Sequence, residues 1–194
     1  MKKLFLSAAL FFVLFLNAQS REKGVIELIP QIGYSSSNYN YNGADLINNS
    51  PLSKGTFGVG GDYFFSNRWS LRSGLHIQTM GSQFYGIEEK LNYLTIPVNA
   101  NWHFGSTRKW NLNFGPSIGF LLSAKDNSTD IKDLVNTTQF GLSVGIGYKI
   151  EVSKQTSILV DYQSITGLSD VSISNANTIK NTYSAFNVGV VFKL

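Results

Sequence analysis

The 194-residue chain contains no cysteine, two histidines and four prolines. Without cysteine there can be no disulfide, no thiolate metal site and no lipid anchored on a mature N-terminal cysteine. Charged residues make up only 14% of the chain, and no Lys/Arg block or basic stripe interleaved with aromatics occurs. Nucleic acid is therefore not an expected partner. Half of the formal net charge of +4 sits on Lys2 and Lys3. Long apolar runs are missing beyond Leu16, because apolar positions are then broken at nearly every second residue. No later segment approaches the ~20 apolar residues that a membrane-crossing helix needs.

What the chain has begins with Lys2-Lys3, the apolar stretch Leu4 to Leu16, and Asn17-Ala18-Gln19. A basic start, a short apolar region and a small residue at the cut are the parts of a secretory signal. Cleavage is expected after Ala18, leaving 1–18 as signal peptide and 19–194 as one domain. From Val25 to Leu194 the pattern changes to runs of roughly ten residues in which apolar and small or polar residues alternate. In Trp110 to Phe120 the even positions, apart from one proline, are large and apolar, and the odd ones are Asn, Gly or Ser. A period of two marks strands. The large apolar set against a face of Gly, Asn and Ser is the pattern of a small transmembrane β-barrel, apolar toward lipid and polar within.

The reading gives eight strands: Val25–Ser36, Thr56–Phe65, Trp69–Thr79, Leu91–Phe104, Trp110–Leu122, Thr138–Ile150, Ser157–Thr166 and Thr182–Leu194. Connections after the second, fourth and sixth are tight, and those after the first, third, fifth and seventh are long. Such alternation, with an even strand count, predicts an up-and-down antiparallel barrel in an outer membrane, with both termini in the periplasm. Outward residues include Phe57, Val59, Leu71, Leu75, Val98, Leu142, Val144, Phe186 and Val188. Trp69, Trp102 and Trp110 fall beside the short turns, where an interfacial girdle belongs.

The inward set is small and polar, with Gly58, Gly60, Gly74, Asn99, Asn101, Asn113, Gly141, Gly145 and Gly147. A tight Ser66-Asn67-Arg68 turn sets Phe65 against Trp69 and therefore Asp62 against Arg72, a predicted structural ion pair in the lumen. Glu27 and Lys193 are placed to pair where the first and last strands close. Pro30, Pro97 and Pro116 each remove a ladder donor inside a strand, and a bulge near Pro97 and Pro116 is expected.

In the fourth strand, Asn92-Tyr93-Leu94-Thr95-Ile96-Pro97-Val98 resembles the "YLxIP" signature of PorT-like outer-membrane β-barrel proteins. The glycine-rich Phe140–Tyr148, Asp161-Tyr162 followed by Gly167-Leu168-Ser169, and the closing Gly189–Leu194 are similar to that family's later strands. Thr95 stands where Glu is common in the family, and Asp161 where Arg usually precedes the Tyr. The resemblance implies an outer-membrane barrel, and for its named member a link to a protein secretion system.

Few residues suggest chemistry. His76 and His103 both face inward but lie on the order of 20 Å apart at a strand rise of ~3.4 Å, so they cannot share a site. Gly58-Val59-Gly60-Gly61 and Gly145-Ile146-Gly147 lie mid-strand and open no helix, unlike a phosphate-binding loop. Asp126, Asp130, Asp133 and Asp170 offer oxygens in two loops, a weak pattern for calcium. The expectation is a non-enzymatic structural or interaction protein with no cofactor and no catalytic or metal site. Its alternative is a membrane-embedded enzyme that modifies lipids. In the first long loop, Ser35–Lys54, the aromatic and amide-rich Tyr39, Tyr41, Leu46 and Ile47 are candidate contacts for a partner. Expected partners are the outer-membrane lipids including lipopolysaccharide, the barrel insertion machinery, and a protein at the loops or in a secretion complex.

Overall fold

The computed structural model describes residues 22–41, 44–45, 49–174 and 178–194. The expected signal peptide, together with Leu46 and Ile47, lies outside them. Eight long strands dominate: β1 (Ile26–Tyr41), β2 (Asn49–Phe64), β3 (Trp69–Phe84), β4 (Ile87–Phe104), β5 (Trp110–Asp126), β6 (Thr138–Glu151), β7 (Thr156–Gly167) and β8 (Ile179–Lys193). Two-residue segments add to β1 (Ala44–Asp45) and to β5 (Thr129–Asp130). Each long strand runs antiparallel to its neighbour in sequence, and β8 returns to β1 from Glu27↔Lys193 to Tyr41↔Ile179. The sheet is therefore closed into an eight-stranded barrel, so every ladder has a partner and no edge meets lipid.

The outer wall explains why these segments pair as they do. Ile32 and Tyr34 on β1, Phe57 on β2, Leu75 on β3, Phe140 and Val144 on β6 and Phe186 on β8 all point away from the lumen and are exposed. Further along each strand the outward residues turn polar: Asn38 on β1, Ser53 on β2, Thr79 on β3, Asn92 on β4, Thr166 on β7 and Thr182 on β8. An apolar belt thus ends at a common level, and the strands continue past it. At the opposite end an aromatic ribbon crosses four strands. Trp69 stacks on Trp102 (6.3 Å), Trp102 on Phe104 (5.0 Å), Phe104 on Trp110 (6.2 Å), and Trp110 meets Tyr148 (4.8 Å). Amphipathic aromatics at the border of an apolar belt are what a membrane interface selects.

Two expectations about connections need correction. The third strand does not end at Thr79, and no long loop follows it. β3 and β4 continue as a hairpin closed by Tyr85-Gly86, whose φ values of 49° and 82° are the left-handed pair that a two-residue turn of the I′ type requires. Likewise β1 runs to Tyr41 and β2 begins at Asn49, so much of Ser35–Lys54 is strand. Above the apolar belt both faces of the wall can be polar, and the alternation that identifies a strand in lipid vanishes there.

The prolines are accommodated without the expected bulge. In the β4–β5 ladder, pairing stops between Pro97↔Ser117 and Ala100↔Phe114 and resumes in unchanged register. The β3–β4 ladder skips from Ser73↔Val98 to His76↔Thr95 in the same way, and β1–β8 skips from Leu28↔Phe192 to Gln31↔Gly189 beside Pro30. Each proline removes rungs locally, and Ser73 Oγ donates to the Pro97 carbonyl at 2.7 Å. The register shift in the β4–β5 ladder lies higher, at Asn92/Tyr93.

Close approach at this seam makes one glycine indispensable. A Cβ on Gly115 would stand 2.1 Å from the Val98 carbonyl oxygen and 2.9 Å from Asn99 Cα. On Gly145 the nearest atoms it would meet are those of the Gln163 side chain, from 2.2 Å. Gly115→Ala is therefore expected to lose at least about 1–3 kcal/mol, the usual range for overpacking. Gly145→Ala should lose less, because an amide side chain can swing aside. Guanidinium unfolding in lipid vesicles measures both, and equal losses would contradict the difference in rigidity.

Candidate functional site

The lumen is layered. Toward the termini it holds a buried ionic network to which seven strands contribute. Asp62 on β2 and Arg72 on β3 are directly opposite in register, and Arg72 Nε and Nη2 donate to the two Asp62 carboxylate oxygens at 2.9 Å each. The remaining Arg72 nitrogen, Nη1, reaches Asn111 Oδ1 on β5 at 3.2 Å and Asp161 Oδ1 on β7 at 3.5 Å. Asn101 Nδ2 on β4 donates to Asp62 at 3.2 Å. Lys149 Nζ on β6 lies 3.5 Å from Asp62 and pairs closely with Glu27 on β1. Glu27 and Lys193 are level on the backbone, yet the Glu27 carboxylate goes inward to Lys149, correcting the expected closing pair. The Lys149 ammonium meets two carboxylates, and the Phe64 ring centre lies 5.5 Å from it.

The histidines are separate. His103 Nε2 lies 2.9 Å from Ser70 Oγ at the terminal end, and its ring packs on Phe64. His76 is further along β3, 3.3 Å from Gln31, in a space kept open by Gly58 and Gly74. A residual cavity of about 50 Å³ beside Arg72, His76 and Asn99 is room for a few waters, not a conduit.

Nearer the other end the lumen becomes apolar, which corrects the expectation of a uniformly small and polar inner face. Tyr39, Met80, Leu91, Tyr93, Leu121, Ile165 and Tyr183 form a buried cluster. No alternation rule predicts it, because inward apolar residues above the belt resemble ordinary polar-loop neighbours in sequence. Tyr39, expected as a surface contact, is only 6% exposed and donates its hydroxyl to Glu89 Oε1 at 2.5 Å. Its position turns it inward from β1. Tyr41 is half-buried at the strand end.

Above this cluster opens a cavity of about 540 Å³, walled by Phe84, Ile87, Ile131, Leu134, Val171 and Ile179, with Tyr39, Glu89 and Asp126 among its polar members. Burial first, then Glu89, raises the Tyr39 phenol well above its usual pKa. Burial raises that of Glu89, and the nearby Asp126 adds to the effect against the Tyr39 hydrogen bond. Outside the cavity Glu88 is held below the usual carboxylate range by bonds from Lys90 and Lys54. Two of the four aspartates weighed for calcium serve the backbone: Asp130 accepts from the Lys132 amide (2.9 Å), and Asp170 from the Ser172 and Ile179 amides (3.1 and 3.0 Å).

The outer membrane protein beta-barrel domain family matches residues 6–193. The chain belongs to that family. This outer-membrane barrel shares its fold with OprG of Pseudomonas aeruginosa (12% identity, TM-score 0.56, covering 91% of this chain and 98% of that one). Neisserial surface protein A is comparable (14%, TM-score 0.56, 86% and 97%). So is the N-terminal barrel domain of OprF from Pseudomonas aeruginosa (10%, TM-score 0.52, 90% and 100%). At such identities the likeness is one of fold. No curated protein sequence matches the chain. For the outer-membrane barrel the family assignment accounts for the apolar belt and the closed sheet, while the ionic lumen and the 540 Å³ cavity are features of these residues.

Proposed function

We propose that this barrel is a non-enzymatic interaction protein that works at its loop end, displayed on the cell surface, with both termini in the periplasm. The carrying observation is the contrast between its two ends. The lumen is plugged by charged and polar side chains, with about 50 Å³ left beside them. The strands nevertheless continue past the apolar belt to Tyr41 and to the Phe84–Ile87 hairpin. Length beyond lipid serves presentation rather than passage. In this reading the signal peptide is cleaved after Ala18, the insertion machinery receives the closing strand β8, and lipopolysaccharide surrounds the belt. Tyr41, Leu46 and Ile47 contact the partner, while Tyr39 stays buried on its bond to Glu89. The Asp62–Arg72 pair has a structural role.

The PorT-like motif around Pro97 favours secretion machinery as that partner. Quantitative mass spectrometry of secreted proteins from a deletion strain and its parent tests this. Selective loss of secreted cargo, restored by the wild-type gene but not by a Tyr41→Ala/Leu46→Ala/Ile47→Ala variant, is the expected result. An unchanged profile would overturn the secretion role.

A further inference from the structure

The cavity at the loop end has features that a partner-docking surface does not require. Its volume of about 540 Å³ falls within the roughly 300–1,000 Å³ of small-molecule sites, which also occur in the mouths of β-barrels. Its walls are mostly apolar, from Phe84 and Ile87 on the β3–β4 hairpin, Ile131 and Leu134 beyond β5, and Val171 and Ile179 before and in β8. Among the described residues the lining includes two acids, Glu89 and Asp126, and no Lys or Arg. Glu89 is fixed rather than free. Tyr39 donates to its Oε1, and among the described residues nothing donates to Oε2. Lys54 and Lys90 are paired with Glu88 at 3.0 and 2.6 Å, and Lys125 and Lys180, next in sequence to the lining Asp126 and Ile179, are not among the lining residues.

We propose that this cavity binds a small amphiphilic amine, with its hydrocarbon part between Phe84, Ile87, Leu134 and Val171 and its ammonium on Glu89, beside Asp126. An apolar ligand alone would leave a half-buried carboxyl with an unused acceptor. An anionic one would face two carboxyl groups with no counter-charge. A hydrogen-bonded ammonium satisfies both, because charge-assisted hydrogen bonds are the strong ones. Binding of this kind goes beyond the presentation role and does not depend on Tyr41 or on secretion.

The test uses the full barrel in lipid nanodiscs, with hexylamine, hexanol and hexanoate titrated by calorimetry and empty discs subtracted. Hexylamine should bind at least tenfold more tightly than hexanol, and hexanoate more weakly than either. Extension to octylamine should gain about fourfold per methylene. Glu89→Gln should bring hexylamine to the level of hexanol while leaving hexanol unchanged. Val171→Trp, which puts an indole ring into the cavity where the hydrocarbon part would lie, should weaken binding of all three. Retained heat-modifiable gel mobility establishes that each variant is folded. No binding above empty discs, an amine preference that survives Glu89→Gln, or a preference for hexanoate would each overturn the proposal. The secretion profile would be untouched by any of these outcomes.

Discussion

Arg72→Met should lower the unfolding free energy of the barrel by about 3–5 kcal/mol, the cost of leaving a buried charge without its partner. Asp62 has no exposed side-chain surface and receives two of the three Arg72 nitrogens, while Asp161, 2% exposed, receives the third. Methionine keeps much of the volume and removes these contacts together with the one to Asn111. Lys149→Met should be of similar size, because Glu27 and Asp62 both lose a cation. Removing an acid together with its base tests whether the network is one unit. Asp62→Leu combined with Arg72→Met should be less destabilised than the sum of the singles, by about 1 kcal/mol or more. Guanidinium unfolding in vesicles, followed by tryptophan fluorescence, measures each variant. Additive losses would mean that the two side chains act independently.

Val144→Arg should cost about 2–4 kcal/mol in a bilayer, the depth-dependent penalty for arginine near the midplane of a barrel's lipid face. Val144 lies in the middle of β6, 52% exposed, between Phe140 and Tyr148. The same change at Thr138, where β6 begins on the loop side, should cost only about 0–1 kcal/mol. An exposed position in water would tolerate arginine at either site within about 0.5 kcal/mol. Equal costs at 138 and 144 would remove lipid from the account of this face.

The parts of this fold that were legible in the sequence are those that lipid enforces. Where a strand crosses the apolar belt, one face must be apolar and the other cannot be, so Phe140–Tyr148 declares itself. The opposition of residues 62 and 72 follows from one short turn. Where the wall leaves the belt that constraint lapses. Gln83, Glu88 and Lys90 belong to strands that carry polar residues outward, and the hairpin closing on Tyr85-Gly86 reads as loop. The apolar floor under the cavity was hidden for a related reason. Met80, Leu91 and Tyr93 sit inside the barrel at a level where lipid no longer makes the distinction. Lys149 and Glu27, 122 residues apart, meet only because the barrel curves. Their contact depends on three-dimensional closure, which no local pattern records.

That separation bears on the order in which the barrel is assembled. Asp62 and Arg72 are ten residues apart and can meet as soon as one hairpin forms. Glu27 and Lys149 cannot meet until nearly the whole chain is in place. Loop-closure entropy rises with separation, so the first pair precedes the second. Until the last step Lys149 has no carboxylate from β1, and the half-built sheet carries an ammonium on the side destined for its interior. The lumen therefore acts as a latch that engages at completion. The finished barrel is held across its lumen by a contact that forms only when the first strand and the sixth come together.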